Sequence, residues 1–147
     1  MFLGQFQHNL DDKGRLMIPA RFRELLAGDA FITQGFDKCL MVMTGAYFKQ
    51  VYDRIEAMNL ADPTARLLRR LILSNAYPVE ADKVGRILMP QNLRAFLGIE
   101  NGELIVAGQG EYFEVWRPAL WSEQMAQLQD TEANIQRFST LDLSSKT

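Results

Sequence analysis

Phe2, Gly4, Phe6, His8 and Leu10 alternate with Leu3, Gln5, Gln7 and Asn9, a period of two that predicts a strand with one largely apolar face. Asp11-Asp12-Lys13-Gly14 follows as turn chemistry, because Asp bonds to nearby backbone and Gly accepts a positive φ. Leu16-Met17-Ile18 then reads as a short buried strand, so residues 2–18 form a hairpin with Arg15 just past its tip. Pro19 opens a short helix with Phe22, Leu25 and Leu26 on its apolar face, and Gly28 ends it. Residues 30–34 and 39–43 predict a second hairpin around Gly-Phe-Asp-Lys. Phe48, Val51, Tyr52 and Ile55 recur at helical spacing, which predicts a helix over 46–59. Asp62-Pro63, a cap followed by a first-turn proline, launches another helix to about Asn75.

The plan then starts again. Residues 77–81 and 86–89 predict a hairpin, 91–97 a short helix ended by Gly98, 104–107 and 112–116 a second hairpin, and 119–128 a closing helix. From Asp130 the chain is a polar tail whose last residues, Ser-Ser-Lys-Thr, are expected to fray. Gly108-Gln109-Gly110 is too short for a dinucleotide-binding fingerprint and reads as a hairpin turn. The recurrence extends to the residues. Asp11-Asp12-Lys13-Gly14-Arg15-Leu16-Met17-Ile18-Pro19 returns 71 positions later as Asp82-Lys83-Val84-Gly85-Arg86-Ile87-Leu88-Met89-Pro90. Arg23 and Leu26 match Arg94 and Leu97 in the same register, and a shift of 73 aligns Phe31–Gly35 with Leu104–Gly108. A unit of two hairpins and a short helix buries little alone, so two units sharing strands in one pseudo-symmetric core is the expected arrangement.

Composition narrows the function classes. The 147 residues suffice for a real core, and 48% hydrophobic with 23% charged content is ordinary for a globular chain. No apolar run approaches the roughly 20 residues needed to span a bilayer, and the opening Met-Phe-Leu-Gly-Gln-Phe predicts no signal peptide. The one cysteine, Cys39, excludes an internal disulfide, fits a reducing cytoplasm, and reads as a small buried hydrophobe in a strand. The net charge of -2 argues against a general nucleic-acid sponge. Residues 1–75 carry ten Lys and Arg against eight Asp and Glu, and residues 76–147 six against ten. Nucleic-acid binding therefore needs a local basic feature, multiplied by self-assembly.

Catalytic chemistry is poorly supplied. His8, the only histidine, falls on the apolar face of a strand, where a core or rim role is expected. No serine or cysteine has an evident base partner and zinc-ligand spacings are absent, so neither catalytic residues, metal, cofactor nor small-molecule substrate is expected. The Asp-x-x-x-Arg turn is the better candidate. Asp11 and Asp82 are expected to cap their turns, with Gly14 and Gly85 supplying the bend. An exposed ion pair is worth only about 0–1 kcal/mol, a weak reason to place arginine at both sites. Guanidinium also offers two-pronged contacts to phosphate or a guanine edge. Arg15 and Arg86 are thus candidate nucleic-acid contacts, with Lys13, Lys83, Arg21 and Arg23 as supporting cations. Val84 and Asn92 stand at the positions of Lys13 and Arg21, so the copies are expected to bind unequally. Arg66, Arg69 and Arg70 line one helix face, read first as solvated, and Trp116 and Trp121 read as core or subunit contacts.

The turn at 11–24, Asp-Asp-Lys-Gly-Arg-Leu-Met-Ile-Pro-Ala-Arg-Phe-Arg-Glu, resembles the first repeat of the MraZ family. Asp-Lys-Val-Gly-Arg-Ile-Leu-Met-Pro at 82–90 resembles its second, and Met-Phe-Leu-Gly at the start and Glu-Val-Trp at 114–116 also fit. The resemblance, from residue 1 to about 129, implies an α+β fold: a tandem AbrB-like swapped-hairpin β-barrel flanked by helices. Residues 5–47 and 76–119 would be the repeats, 48–75 a helical linker, and 120–147 a C-terminal helix and polar tail. It further implies a cytoplasmic, nucleoid-associated transcriptional regulator. Ring-shaped homo-oligomers would bind double-stranded DNA at short promoter repeats ahead of the division and cell-wall gene cluster. Asp11, Arg15, Asp82 and Arg86 are the positions onto which the family motif carries. The rival expectation is an assembly module in which Asp and Arg pair between subunits.

Overall fold

The computed structural model describes residues 1–144; the end of the tail expected to fray, 145–147, lies outside them. Each half contributes four strands. The first supplies β1 (Gln5–Leu10), β2 (Arg15–Met17), β3 (Ala30–Gln34) and β4 (Leu40–Thr44), with α1 (Ala20–Leu25), α2 (Gly45–Glu56) and α3 (Pro63–Leu73). The second supplies β5 (Tyr77–Val79), β6 (Arg86–Leu88), β7 (Gly102–Gly108) and β8 (Tyr112–Trp116), with α4 (Gln91–Leu97), α5 (Pro118–Gln127) and α6 (Thr131–Arg137).

All eight strands form one antiparallel sheet in the order β5-β3-β4-β8-β7-β1-β2-β6. Four of its pairings, β1 with β7, β2 with β6, β3 with β5 and β4 with β8, join one half to the other. The two ends of the sheet are connected by the turn before β6, so the sheet is a nearly closed barrel of interleaved hairpins. Its core is common property: Leu10, Leu16 and Ile32 from the first half and Ile87, Leu104 and Val115 from the second are fully buried together. Phe22 of α1 stacks on Phe113 of β8 at 5.2 Å and meets Phe2 edge-on at 5.1 Å. Neither half has an apolar interior of its own.

The structure departs from the sequence reading in four places. The hairpin expected from 77–81 and 86–89 does not form a ladder. β5 pairs with β3, β6 pairs with β2, and the remaining link is the bond from the Asp82 N–H to the Arg86 carbonyl at 2.8 Å. Pro78 has no N–H to give a second neighbour, which suits β5 to a sheet edge. The repeat alignment at the second hairpins also shifts by one. His8 faces Leu104, Val79 stands 71 residues after His8, and its partner is Ala30, so Ala30 takes the place of Leu104 at an offset of 74. Leu25 is exposed while Phe22 and Leu26 are buried. Finally the polar tail contains α6, started by the Asp130 carboxylate accepting the Ala133 N–H at 3.1 Å.

Candidate nucleic-acid interface

The two Asp-x-x-x-Arg turns are built alike. The Asp11 carboxylate accepts the Lys13 N–H at 3.0 Å and the Arg15 N–H at 2.9 Å through Oδ1, and the Arg15 Nε–H at 2.8 Å through Oδ2. Asp82 repeats this, accepting the Val84, Gly85 and Arg86 N–H groups and the Arg86 Nε–H, all between 2.9 and 3.0 Å. Gly14 and Gly85 take φ of 80° and 98°, the left-handed region that a side chain resists. The N–H bonds, led by that of each arginine's own backbone, hold both carboxyls below the usual carboxylate range. Both aspartates therefore cap their turns, as the sequence suggested.

Because each carboxylate grips its arginine at Nε, the guanidinium is oriented through one edge. The terminal amino groups of Arg15 make no hydrogen bond among the described residues, which leaves the two-pronged edge available to a phosphate or base. Pairing of β2 with β6 then sets the two arginines diagonally across one face of the ribbon. Leu16 faces Ile87 with both buried, while Arg15 faces Leu88 and Met17 faces Arg86 on the outer surface. Arg86 Nη1 lies 3.7 Å from Asp11 Oδ2, an ion pair between the halves. Lys13 and Lys83 are exposed on the turns at either end of this two-stranded ribbon, with Val84 exposed beside Lys83.

Arg21 is exposed on α1. Arg23, on the same helix, is turned inward. It is half-buried behind the other half's turn, with Nη1 3.4 Å from the Val84 carbonyl. Arg94 of α4 lies behind the first turn, close to Gly14. The Nε of each is buried without a hydrogen-bond partner among the described residues, and an unpaired buried donor costs about 1–3 kcal/mol. The repeat register links Arg23 to Arg94, but nothing local in the sequence marks Arg94 as a site residue. In the third basic set Arg66 donates to the Leu60 carbonyl at 2.8 Å and Arg69 to Glu56 at 3.2 Å, while Arg70 is exposed.

Other chemistry is sparse. Burial, then Glu114 beside it, pushes the Cys39 thiol up and away from thiolate. A cavity of about 330 Å³ lined by Met41, Met43, Ile55, Ile72 and Tyr112 shares no residue with the turns. Among the described residues no group of three His, Cys, Asp or Glu side chains could hold a metal ion, and no helix is long and apolar enough to cross a membrane.

The duplicated turn, its spacing and the interleaved barrel meet a known family profile twice. The profile described as "MraZ protein, putative antitoxin-like" matches residues 1–71 and again 72–142. The chain belongs to the MraZ family. A relative from Thermomicrobium roseum, named transcriptional regulator MraZ, is 43% identical over 96% of this chain and 99% of its own. Relatives of the same name from a Roseiflexus species and Desulfitobacterium hafniense are 39% and 40% identical, covering 92% and 91% of this chain and 93% of their own. The two family matches divide the chain within α3, between the halves that the sheet interleaves.

Proposed function

We propose that the protein is a transcriptional regulator that binds double-stranded DNA through the β2–β6 ribbon and its two turns. The observation that carries this reading is the display of Arg15 and Arg86 diagonally across one outer surface, each held at Nε by its own aspartate. A two-stranded antiparallel ribbon is an element the major groove admits. Lys13 and Lys83 extend the cationic surface at its ends, so Lys13, Arg15, Lys83 and Arg86 are the direct contacts. The relatives' name, transcriptional regulator MraZ, supports the same reading. One ribbon offers few contacts. Affinity for short promoter repeats therefore comes from several ribbons held at fixed spacing in a homo-oligomeric ring, an effective-concentration effect. This also reconciles DNA binding with a net charge of -2. The rival, pairing of turns between subunits, gains nothing from the geometry, since each aspartate is engaged by an arginine of its own chain.

The test is binding to a labelled duplex from directly upstream of the protein's own coding sequence, across roughly 50 to 200 mM salt, where the electrostatic term changes most. Arg15→Ala should weaken binding strongly because its loss recurs in every subunit, while losing at most about 1 kcal/mol of stability. Each phosphate contact contributes about -0.9 to the slope of log affinity against log salt. Removing Lys13 and Arg15 together should flatten that slope by about two per subunit engaged, and Arg86→Ala by about one at most. Unchanged affinity and slope in all these variants would refute the reading.

A further inference from the structure

We propose that Arg23 and Arg94 are positioning residues, each packing its guanidinium under the glycine of the opposite half's DNA-binding turn; this rests on the reading of those turns given above. A Cβ on Gly85 would lie 2.6 Å from both Cδ and Cζ of Arg23, and one on Gly14 would lie 2.7 Å from Cζ of Arg94. The two glycines therefore serve twice: they take a positive φ, and they leave room for an arginine that comes from the other repeat. The backbone shows the same exchange. The Ile18 N–H donates to the Gly85 carbonyl at 3.0 Å, and the Met89 N–H donates to the Gly14 carbonyl at 2.7 Å. α1 thus supports the turn carrying Arg86, and α4 supports the turn carrying Arg15.

The contact geometry separates this role from a phosphate contact. Arg23 approaches its turn from behind, bonding the Val84 carbonyl at 3.4 Å, and its Nε is buried without a partner among the described residues. Arg94 has the same buried, unpartnered Nε. A guanidinium recruited for solvent-facing phosphate has no reason to bury that donor twice, in register. The grip is unequal, since Arg94 has no bond equivalent to that between Arg23 and Val84 among the described residues. The wiring is crossed: damage to α1 is felt at the second turn, and damage to α4 at the first.

Arg23→Met and Arg94→Met retain a long unbranched side chain and delete the guanidinium. Amide hydrogen exchange on the full chain reads the inference without DNA. Arg23→Met should speed exchange at Val84, Gly85 and Arg86 by about tenfold while Lys13 and Arg15 change by less than about twofold, with the reverse for Arg94→Met. Equal changes at both turns, or none, would overturn the proposal. Binding to the same upstream duplex supplies the second arm. Arg23→Met should weaken binding, add nothing to Arg86→Ala, and combine in full with Arg15→Ala. Full additivity with Arg86→Ala would instead make Arg23 an independent contact and sink the inference. If exchange shows the crossed pattern while Arg15→Ala and Arg86→Ala bind as well as the unmutated protein, the DNA-binding reading fails, and with it the role of the crossed support in DNA binding.

Discussion

Two glycines with nearly the same backbone separate strain from contact. Gly28 and Gly85 have φ of 97° and 98°, but a Cβ on Gly28 meets nothing within 4 Å, whereas one on Gly85 would overlap Arg23. Gly28→Ala should therefore cost only the strain of a left-handed residue, about 1–2 kcal/mol. Gly85→Ala carries the same strain and must also push the Arg23 guanidinium aside, so its excess cost over Gly28→Ala in urea unfolding measures how firmly Arg23 is held. Titration acts at other residues. Burial first, and the charge of Arg23 second, lower the pKa of His8 from its ordinary 6.5. The unfolded chain then binds the proton more readily, so His8 contributes stability that is complete above about pH 6.5 and is lost as pH falls through its folded pKa. Asp11 and Asp82, also lowered, lose their contribution only as pH falls from about 3.8 through still lower folded values. Stability against pH should show two declines on acidification, and His8→Gln should remove the first. A single decline below pH 4 in the unmutated protein would contradict this. The aspartate caps were readable from sequence because a turn is a local object. The place of Arg23 was not, because its partner lies 62 positions away, at Gly85, on the other repeat.

Elements with strong local signals formed where expected. Thr44 and Asp62 cap α2 and α3 by accepting the Tyr47 and Thr64 N–H groups, and Gly98 ends α4 in the left-handed conformation. Strand partners carry no such signal. Residues 77–81 and 86–89 look like a hairpin because the turn between them is the turn of residues 11–14 again, yet β5 pairs with β3, as β1 pairs with β7 in the other half. α6 has little sequence signal because none of its side chains is buried and its one large apolar residue, Ile135, is exposed, leaving only a cap residue to announce it. Where α3 packs on β3, a fully buried polar contact stands in an apolar setting. Thr33, fully buried in β3, donates its hydroxyl to the Ile72 carbonyl at 2.6 Å. Thr33→Val keeps the shape and strands that carbonyl, so it should destabilise the protein by about 1–3 kcal/mol in thermal or urea unfolding. A neutral substitution would mean that the carbonyl finds another donor.

For the molecule as a unit, the decisive fact is that duplication in sequence did not give two domains in space. The repeat at an offset of 71 was visible in the chain, and so was the need to share a core. Which strands are exchanged was not, because hairpin patterns are the same whether the partner is a neighbour or the other repeat. With four of its seven strand pairings crossing between halves, neither half should fold as a monomer. Residues 1–75 or 76–147 expressed alone should lack native-like amide dispersion at low concentration, and a folded monomer of either would contradict the shared core.

That interleaving also sets a timetable for synthesis. β1 is completed at residue 10, but its neighbour β7 runs to residue 108, with Gln5 facing Ala107. At about 5–20 residues per second, the first strand emerges many seconds before the strand that covers it. Through that interval its apolar side and the edge that β7 will cover are open to other nascent chains on the same message. Contacts so distant in sequence also slow the final closure. A chain arranged in this way should lean on ribosome-associated chaperones, and should aggregate when truncated upstream of β7 even though both Asp-x-x-x-Arg turns are then still present.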